Sequence, residues 1–191
     1  GKNAFYDPNK PRELSDLALH FIGGLLRHVK GITRVANPTI NSYKRLVPGY
    51  EAPVYISWSV TNRSALIRVP AARGNSTRTE FRSPDPMCNP YLTFACMLAA
   101  GLDGIKNKIS PPASTDTNIY HLTDRERKRR KIDTLPADLP SAMHELRKDA
   151  LLAETLGSHI IENLERITTM EWDSFRTAVH GWEHQQYLDR Y

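Results

Sequence analysis

An α+β fold is predicted for this chain: an antiparallel sheet with flanking helices, followed by a helical C-terminal tail. Three observations predict it. Residues 54–60, 66–69 and 77–83 are short runs that read as strands. Residues 15–30, 89–109 and those from 141 onward space their apolar side chains as helices do. Between the first helix and the strands lies a connector rich in Pro, Asn and Gly, from Asn37-Pro38 to Ala52-Pro53.

The elements follow in order. Gly1-Lys2-Asn3-Ala4-Phe5-Tyr6-Asp7-Pro8 is polar and turn-forming, with no secretory pattern and no initiator Met. It reads as the middle of a longer chain. Ser15 is the expected N-cap of the first helix, and Leu17, Leu19, Phe21, Ile22, Leu25 and Leu26 give it a broad apolar face. Gly23-Gly24 inside it weakens the helix or admits a close neighbour. Asn89-Pro90 opens a long helix with Leu92, Ala95, Cys96, Leu98, Ala99 and Leu102 as its expected buried face. Composition divides the chain into 1–112 (helix, loop, strands, core helix), a polar loop region 113–140, and a helical region 141–191. The basic run 124–131 reads as a solvated surface, with no interleaved aromatics to stack on bases. Trp172, Phe175, Trp182, Tyr187 and Tyr191 gather at the chain end, either closing the chain's own core or docking on another subunit.

The 191 residues suffice for one domain with a real core, or one and a half. Hydrophobic residues at 40% and charged residues at 25% place the chain in the soluble globular range. No apolar run reaches the roughly 18 residues of a membrane span. The net charge of +5 suits phosphate-bearing ligands better than direct nucleic-acid binding. Cys88 and Cys96 are eight apart, which fits neither a zinc knuckle nor a redox pair, so both read as reduced core thiols of a cytoplasmic protein.

The chemistry concentrates between residues 62 and 86. Arg78, Glu80 and Arg82 stand at i, i+2 and i+4, so a strand points all three the same way. Such a row is either a solvated salt-bridge ladder or a site where an oxyanion and a cation meet. Arginine grips oxyanions in a planar fork, and glutamate ligates Mg²⁺ or Mn²⁺.

Residues 37–53, Asn-Pro-Thr-Ile-Asn-Ser-Tyr-Lys-Arg-Leu-Val-Pro-Gly-Tyr-Glu-Ala-Pro, form one long ordered motif. Residues 62–70, 78–86 and 89–108 follow it in collinear order. Through these motifs the chain closely resembles glutamine synthetase of the bacterial type I class, over essentially its whole length, more weakly across 115–140. Members of that family are more than twice as long. The resemblance therefore implies the C-terminal part of a catalytic domain, with a β-grasp domain, paired-Glu metal motifs and a His-x-His segment upstream.

What the resemblance implies is ATP-dependent ligation of ammonia to the glutamate γ-carboxylate through γ-glutamyl phosphate. Arg45 and Arg82 match arginines that hold glutamate or its phosphorylated intermediate. Glu51 matches a flap glutamate that closes over that intermediate and helps deprotonate ammonium. Arg63 matches the arginine that stabilises the transferring phosphoryl group, and Arg68 and Arg78 match nucleotide-phosphate contacts. Glu80 matches a ligand of the Mg²⁺ or Mn²⁺ that bridges the ATP phosphates. The family assembles as a dodecamer of two hexameric rings. The tail 170–180 looks like the feedback-inhibited branch, whose C-terminal helix joins the rings and can engage a transcription regulator. Tyr120 aligns with a tyrosine adenylylated in some members, but His121 replaces the usual acid, so it is read as an unmodified, exposed loop tyrosine. His180 and His184 have i, i+4 spacing without an acid in register, which argues against a metal site. Two other readings stand beside the synthetase: a γ-glutamyl-amine ligase using another amine, and an inactive interaction module.

Overall fold

A computed structural model of the chain describes residues 1–50, 52–188 and 190. Glu51 and Tyr191, which carry expectations above, lie outside the described residues.

Helix α1 spans Asp16–Ala36, and the Ser15 side chain accepts from the Ala18 N–H at 3.1 Å as its N-cap. It continues past residue 30 because Ile32, Val35 and Ala36 are buried and the next proline is Pro38. Helix α2, Ile40–Arg45, starts from a reciprocal capping box between Thr39 and Ser42. Helix α3, Pro90–Lys106, starts at Asn89, whose Oδ1 accepts from the Tyr91 and Leu92 N–H groups.

Helices α1 and α3 touch backbone to backbone. A Cβ on Gly24 would stand 2.1 Å from the Ala100 carbonyl oxygen, and one on Gly104 would stand 2.1 Å from that of His20. This corrects the expected face of α3. Its buried residues are Thr93, Cys96, Ala100, Gly101 and Gly104, whereas Leu98 and Leu102 are 57% and 59% exposed. So close a crossing has room only for small side chains, and the large ones turn outward with Tyr91 and Phe94. Cys96 is buried as expected, but Cys88 sits half-buried in the turn ahead of the Asn89 cap, outside the helix and the core.

The sheet is smaller than the sequence suggests. Strands β1 (Trp58–Ser59), β2 (Ile67–Arg68) and β3 (Glu80–Phe81) lie in the order β1-β2-β3. β2 and β3 pair antiparallel, with Arg68 opposite Glu80. β1 and β2 pair parallel, which corrects a wholly antiparallel sheet. The short connection is possible because the pairing is only two residues long and residues 60–66 fold into turns. The rest of the expected first strand bonds elsewhere: Ile56 N–H donates to Asp133 O and Leu135 N–H to Val54 O, both at 2.8 Å. On the far side of β1, Thr115 N–H donates to Trp58 O at 3.0 Å. Segment 113–135 is thereby stitched to the sheet. Helix α4, Asp124–Arg129, carries the basic run on a solvated surface.

Helices α5 (Leu139–Lys148) and α6 (Ala150–Leu156) are capped by Asp138 and Asp149 and pack on α1 and α3 through Leu146 and Leu152. Helix α7, Ser158–Thr177, buries only Thr168 fully. It is held by Arg34 of α1, 1% exposed, whose Nε donates to Thr168 Oγ1 at 2.9 Å and Nη2 to Leu164 O at 3.1 Å. In α8, Gly181–Tyr187, Trp182 stacks edge-on against Tyr187 at 5.7 Å and stays 61% exposed. Trp172 and Phe175 likewise pair at 5.9 Å, with Lys44 of α2 lying 5.8 Å over the Phe175 ring, and none of the described tail aromatics is buried in the core. No helix among the described residues is long and apolar enough to cross a membrane.

Candidate active site

The turn carrying Arg63 is built by short polar side chains. Asn62 Oδ1 accepts from Ser64 N–H at 2.8 Å and from the Ser64 hydroxyl at 2.7 Å. The Ser59 hydroxyl, at the end of β1, accepts from the Thr61 and Asn62 N–H groups and donates to Asp116 Oδ1 at 2.7 Å. The Asn62 amide reaches Thr115 O at 3.1 Å. Hydrogen bonds from Ser114 and Ser59 lead the causes that hold the Asp116 carboxyl below its ordinary pKa, so Asp116 stays a charged acceptor under this turn. Asp116 carried no expectation from sequence; its position in a polar segment gave no spacing signal.

Beyond β3 the ladder continues, with Arg82 N–H donating to Leu66 O at 3.0 Å. Arg78 and Arg82 flank the two-residue β3 instead of lying on one long strand with Glu80, because regular pairing here is only two residues long. The Arg82 guanidinium donates to the carbonyls of Arg63 and Ala65, so it fastens the same turn. Arg63 itself lies in that turn rather than on a strand. Arg63 and Arg82 line a cavity of about 330 Å³ together with Tyr50, Pro53, Ser64 and Tyr120.

Tyr120 is not the exposed loop residue expected. It is half-buried, with its ring 5.7 Å from that of Tyr55, because the neighbouring Ile119 is fully buried and anchors the turn 119–121. Burial pushes its hydroxyl pKa up.

A second cluster lies on the β2–β3 pair. Glu80 Oε2 accepts from Arg68 at 2.9 Å and Oε1 from Arg78 at 2.9 Å. Burial acts to raise the Glu80 pKa, but the hydrogen bonds and charges of Arg68 and Arg78 together outweigh it and hold the carboxyl below its ordinary value. Arg45 occupies a third position, donating to the Ser83 carbonyl and to Asn37 Oδ1. The structure thus distributes six of the seven sequence-derived site residues over three places, Arg63 with Arg82, Glu80 with Arg68 and Arg78, and Arg45 with Asn37 and Ser83, while Glu51 lies outside the described residues. No three His, Cys, Asp or Glu side chains among the described residues form a group that could hold a metal. Glu80 offers one carboxylate, both of whose oxygens are engaged, whereas Mg²⁺ is octahedral and Mn²⁺ likewise takes several oxygens. These residues alone do not complete such a site.

The family described as "Glutamine synthetase, catalytic domain" matches residues 1–187. The chain belongs to this family. A glutamine synthetase of Methanosarcina mazei is 57% identical over 188 residues, covering 98% of this chain and 42% of that protein. Those of Thermotoga maritima and Thermus thermophilus are 58% and 54% identical, covering 98% and 100% of this chain and 43% of each relative. The chain therefore spans less than half the length of these relatives. Among solved structures, GmaS without ligand superposes with a TM-score of 0.80, and a GmaS–ADP complex with 0.83. Each is 34% identical, covering 97% of this chain and 41% or 42% of the other. Membership in the glutamine synthetase family accounts for the collinear motifs, and the α+β architecture is the one shared with these neighbours.

Proposed function

We propose that the protein to which this chain belongs is a glutamine synthetase, a glutamate–ammonia ligase of glutamine biosynthesis and nitrogen assimilation. ATP would phosphorylate the glutamate γ-carboxylate, and ammonia would then displace phosphate. The observation that carries this reading is Glu80 held between Arg68 and Arg78, in a chain 54–58% identical to relatives of that name. Phosphoryl transfer asks mainly for in-line positioning and charge neutralisation. Arg68 and Arg78 already neutralise Glu80, whereas Arg63 and Arg82, which line one cavity, form no salt bridge with an acidic side chain among the described residues and would welcome an anion there.

In this reading Arg45 and Arg82 hold glutamate, Arg63 neutralises the transferring phosphoryl group, and Glu51 closes the site and receives a proton from ammonium. Arg68 and Arg78 release Glu80 to take nucleotide phosphate oxygens. Glu80 would then serve as one ligand of a divalent ion, Mg²⁺ or Mn²⁺, together with further ligands from the rest of the protein. Such an ion would supply charge neutralisation to the phosphoryl transfer. Further parts of the proposal are cytoplasmic location, a dodecamer of two hexameric rings, and a tail that contacts the other ring or a transcription regulator.

Incubating the full-length protein with glutamate and ATP, offering ammonium, ethanolamine or polyamines in turn, tests the reaction. Glutamine formed only with ammonium supports the synthetase. A γ-glutamyl amide formed from another amine instead would make the protein a γ-glutamyl-amine ligase. Failure with every amine, together with a light-scattering mass that rises on mixing with other subunits, would support an interaction module.

A further inference from the structure

Arg45 ends α2, and its side chain is only one-quarter exposed. One Nη2 hydrogen goes to Asn37 Oδ1 at 3.2 Å and the other to the Ser83 carbonyl. Nε faces Asp85 Oδ2 at 3.9 Å, an ion pair without a hydrogen bond. Three segments meet here. Asn37 is the C-cap of α1, Arg45 closes α2, and residues 83–85 follow β3, fastened to α1 by Asp85 N–H donating to Ala36 O at 2.8 Å.

Asn37 and Ser83 are fully buried. Asn37 Nδ2, Ser83 Oγ and Arg45 Nε are three of the six buried side-chain polar atoms that lack a partner among the described residues. Unpaired buried polar groups are destabilising, so half of them collecting around one guanidinium points to a role other than stability. A buried amide also holds an arginine without discharging it, which a carboxylate at that position would not.

We infer that Asn37, with the Ser83 carbonyl and Asp85, is a positioning set that fixes the Arg45 guanidinium so that only its Nη1 edge is offered to the substrate carboxylate. With both Nη2 hydrogens taken, the two-pronged grip of a free arginine is excluded. The contact is end-on, and its direction is set by the C-terminal end of α1. This inference rests on Arg45 binding glutamate as proposed above.

The test is steady-state kinetics on the full-length protein carrying Asn37→Leu, a near-isosteric change that removes the acceptor, and Asp85→Asn, which keeps the Oδ1 acceptor for the Met87 N–H but removes the charge. Both should raise the glutamate KM, about tenfold or more for Asn37→Leu. The ATP KM should stay within about twofold, and the melting temperature within a few degrees. A merely structural role would lower the melting temperature without separating the two KM values. A glutamate KM unchanged in Asn37→Leu would overturn the inference and leave the proposed reaction standing. Should Asn37→Leu not fold, an unchanged glutamate KM in Asp85→Asn would overturn it equally. Wild-type protein that binds ATP but shows no glutamate-dependent turnover would overturn the reading of Arg45 and the inference with it.

Discussion

Glu80 has its two oxygens divided between two arginines, with 30% of its side chain exposed. Pairs this close to solvent contribute little to stability, about 1 kcal/mol or less. Glu80→Gln should therefore shift the unfolding free energy of the full-length protein by roughly 1 kcal/mol, while abolishing most ATP-dependent turnover. Comparable losses in denaturant unfolding and in activity would make Glu80 a structural residue. His28 is a different kind of residue. Its Nδ1 lies 2.7 Å from Asp149 and its Nε2 3.1 Å from Asp103, joining α1, α3 and the α5–α6 junction. Arg27 and Lys148 line the same cleft. The hydrogen bond to Asp149 leads the causes that raise the His28 pKa above its ordinary value. The folded state then holds a proton that the unfolded state has released, so stability falls as pH rises through the folded pKa. The stabilisation is fully present below the ordinary histidine pKa of about 6.5. Thermal melts from acid to alkaline pH should show the wild type losing its advantage over His28→Gln as pH rises. A gap that widens with pH would reverse the sign and refute the clamp. Period-2 spacing made the Arg78-Glu80 pairing legible in the sequence. Nothing of the kind announced His28, Asp103 and Asp149, because 75 and 121 residues separate the partners.

At the scale of elements, helices were easier to read than strands, and the reason is local. Ser15 and Asn89 cap their own helices within three residues, so each start is written beside the helix it begins. The strands depend on partners far along the chain. Residues 54–56 bond to 133–135 and β1 to Thr115, which no period-2 pattern reveals. The face of α3 was misread for a related reason: large apolar residues were expected inside, yet glycine-to-backbone contact selects the small ones. Gly104→Ala should force α1 and α3 apart and destabilise the protein by about 1–3 kcal/mol or more, measured by denaturant unfolding. An unchanged midpoint would show that the crossing is looser than described. Helix α7 hangs on the buried Arg34. Thr168→Val keeps the shape but leaves Arg34 Nε unpaired, at a cost of about 1–3 kcal/mol. Limited proteolysis should then cut within α7 sooner than in the wild type, and equal cleavage rates would remove Arg34 as its anchor.

For the whole molecule, the arginines of the candidate site outnumber the described carboxylates that contact them. The described residues supply Glu80, paired with Arg68 and Arg78, and no group of three His, Cys, Asp or Glu that could hold a metal. This chain covers 42–43% of its relatives, so under the proposed two-metal phosphoryl transfer the remaining ligands would come from elsewhere in the protein. The 191 residues by themselves should bind ATP weakly through Arg68 and Arg78 and make no glutamine. Glutamine formed by the purified chain, and lost on Arg63→Ala, would contradict that expectation. The most direct test of the central claim is glutamine formation from glutamate, ATP and ammonium by the full-length protein, compared between wild type and Arg63→Ala. The account predicts ammonium-dependent glutamine and phosphate release that falls about a thousandfold in the variant, with its melting temperature unchanged. Wild-type turnover that survives Arg63→Ala would contradict it.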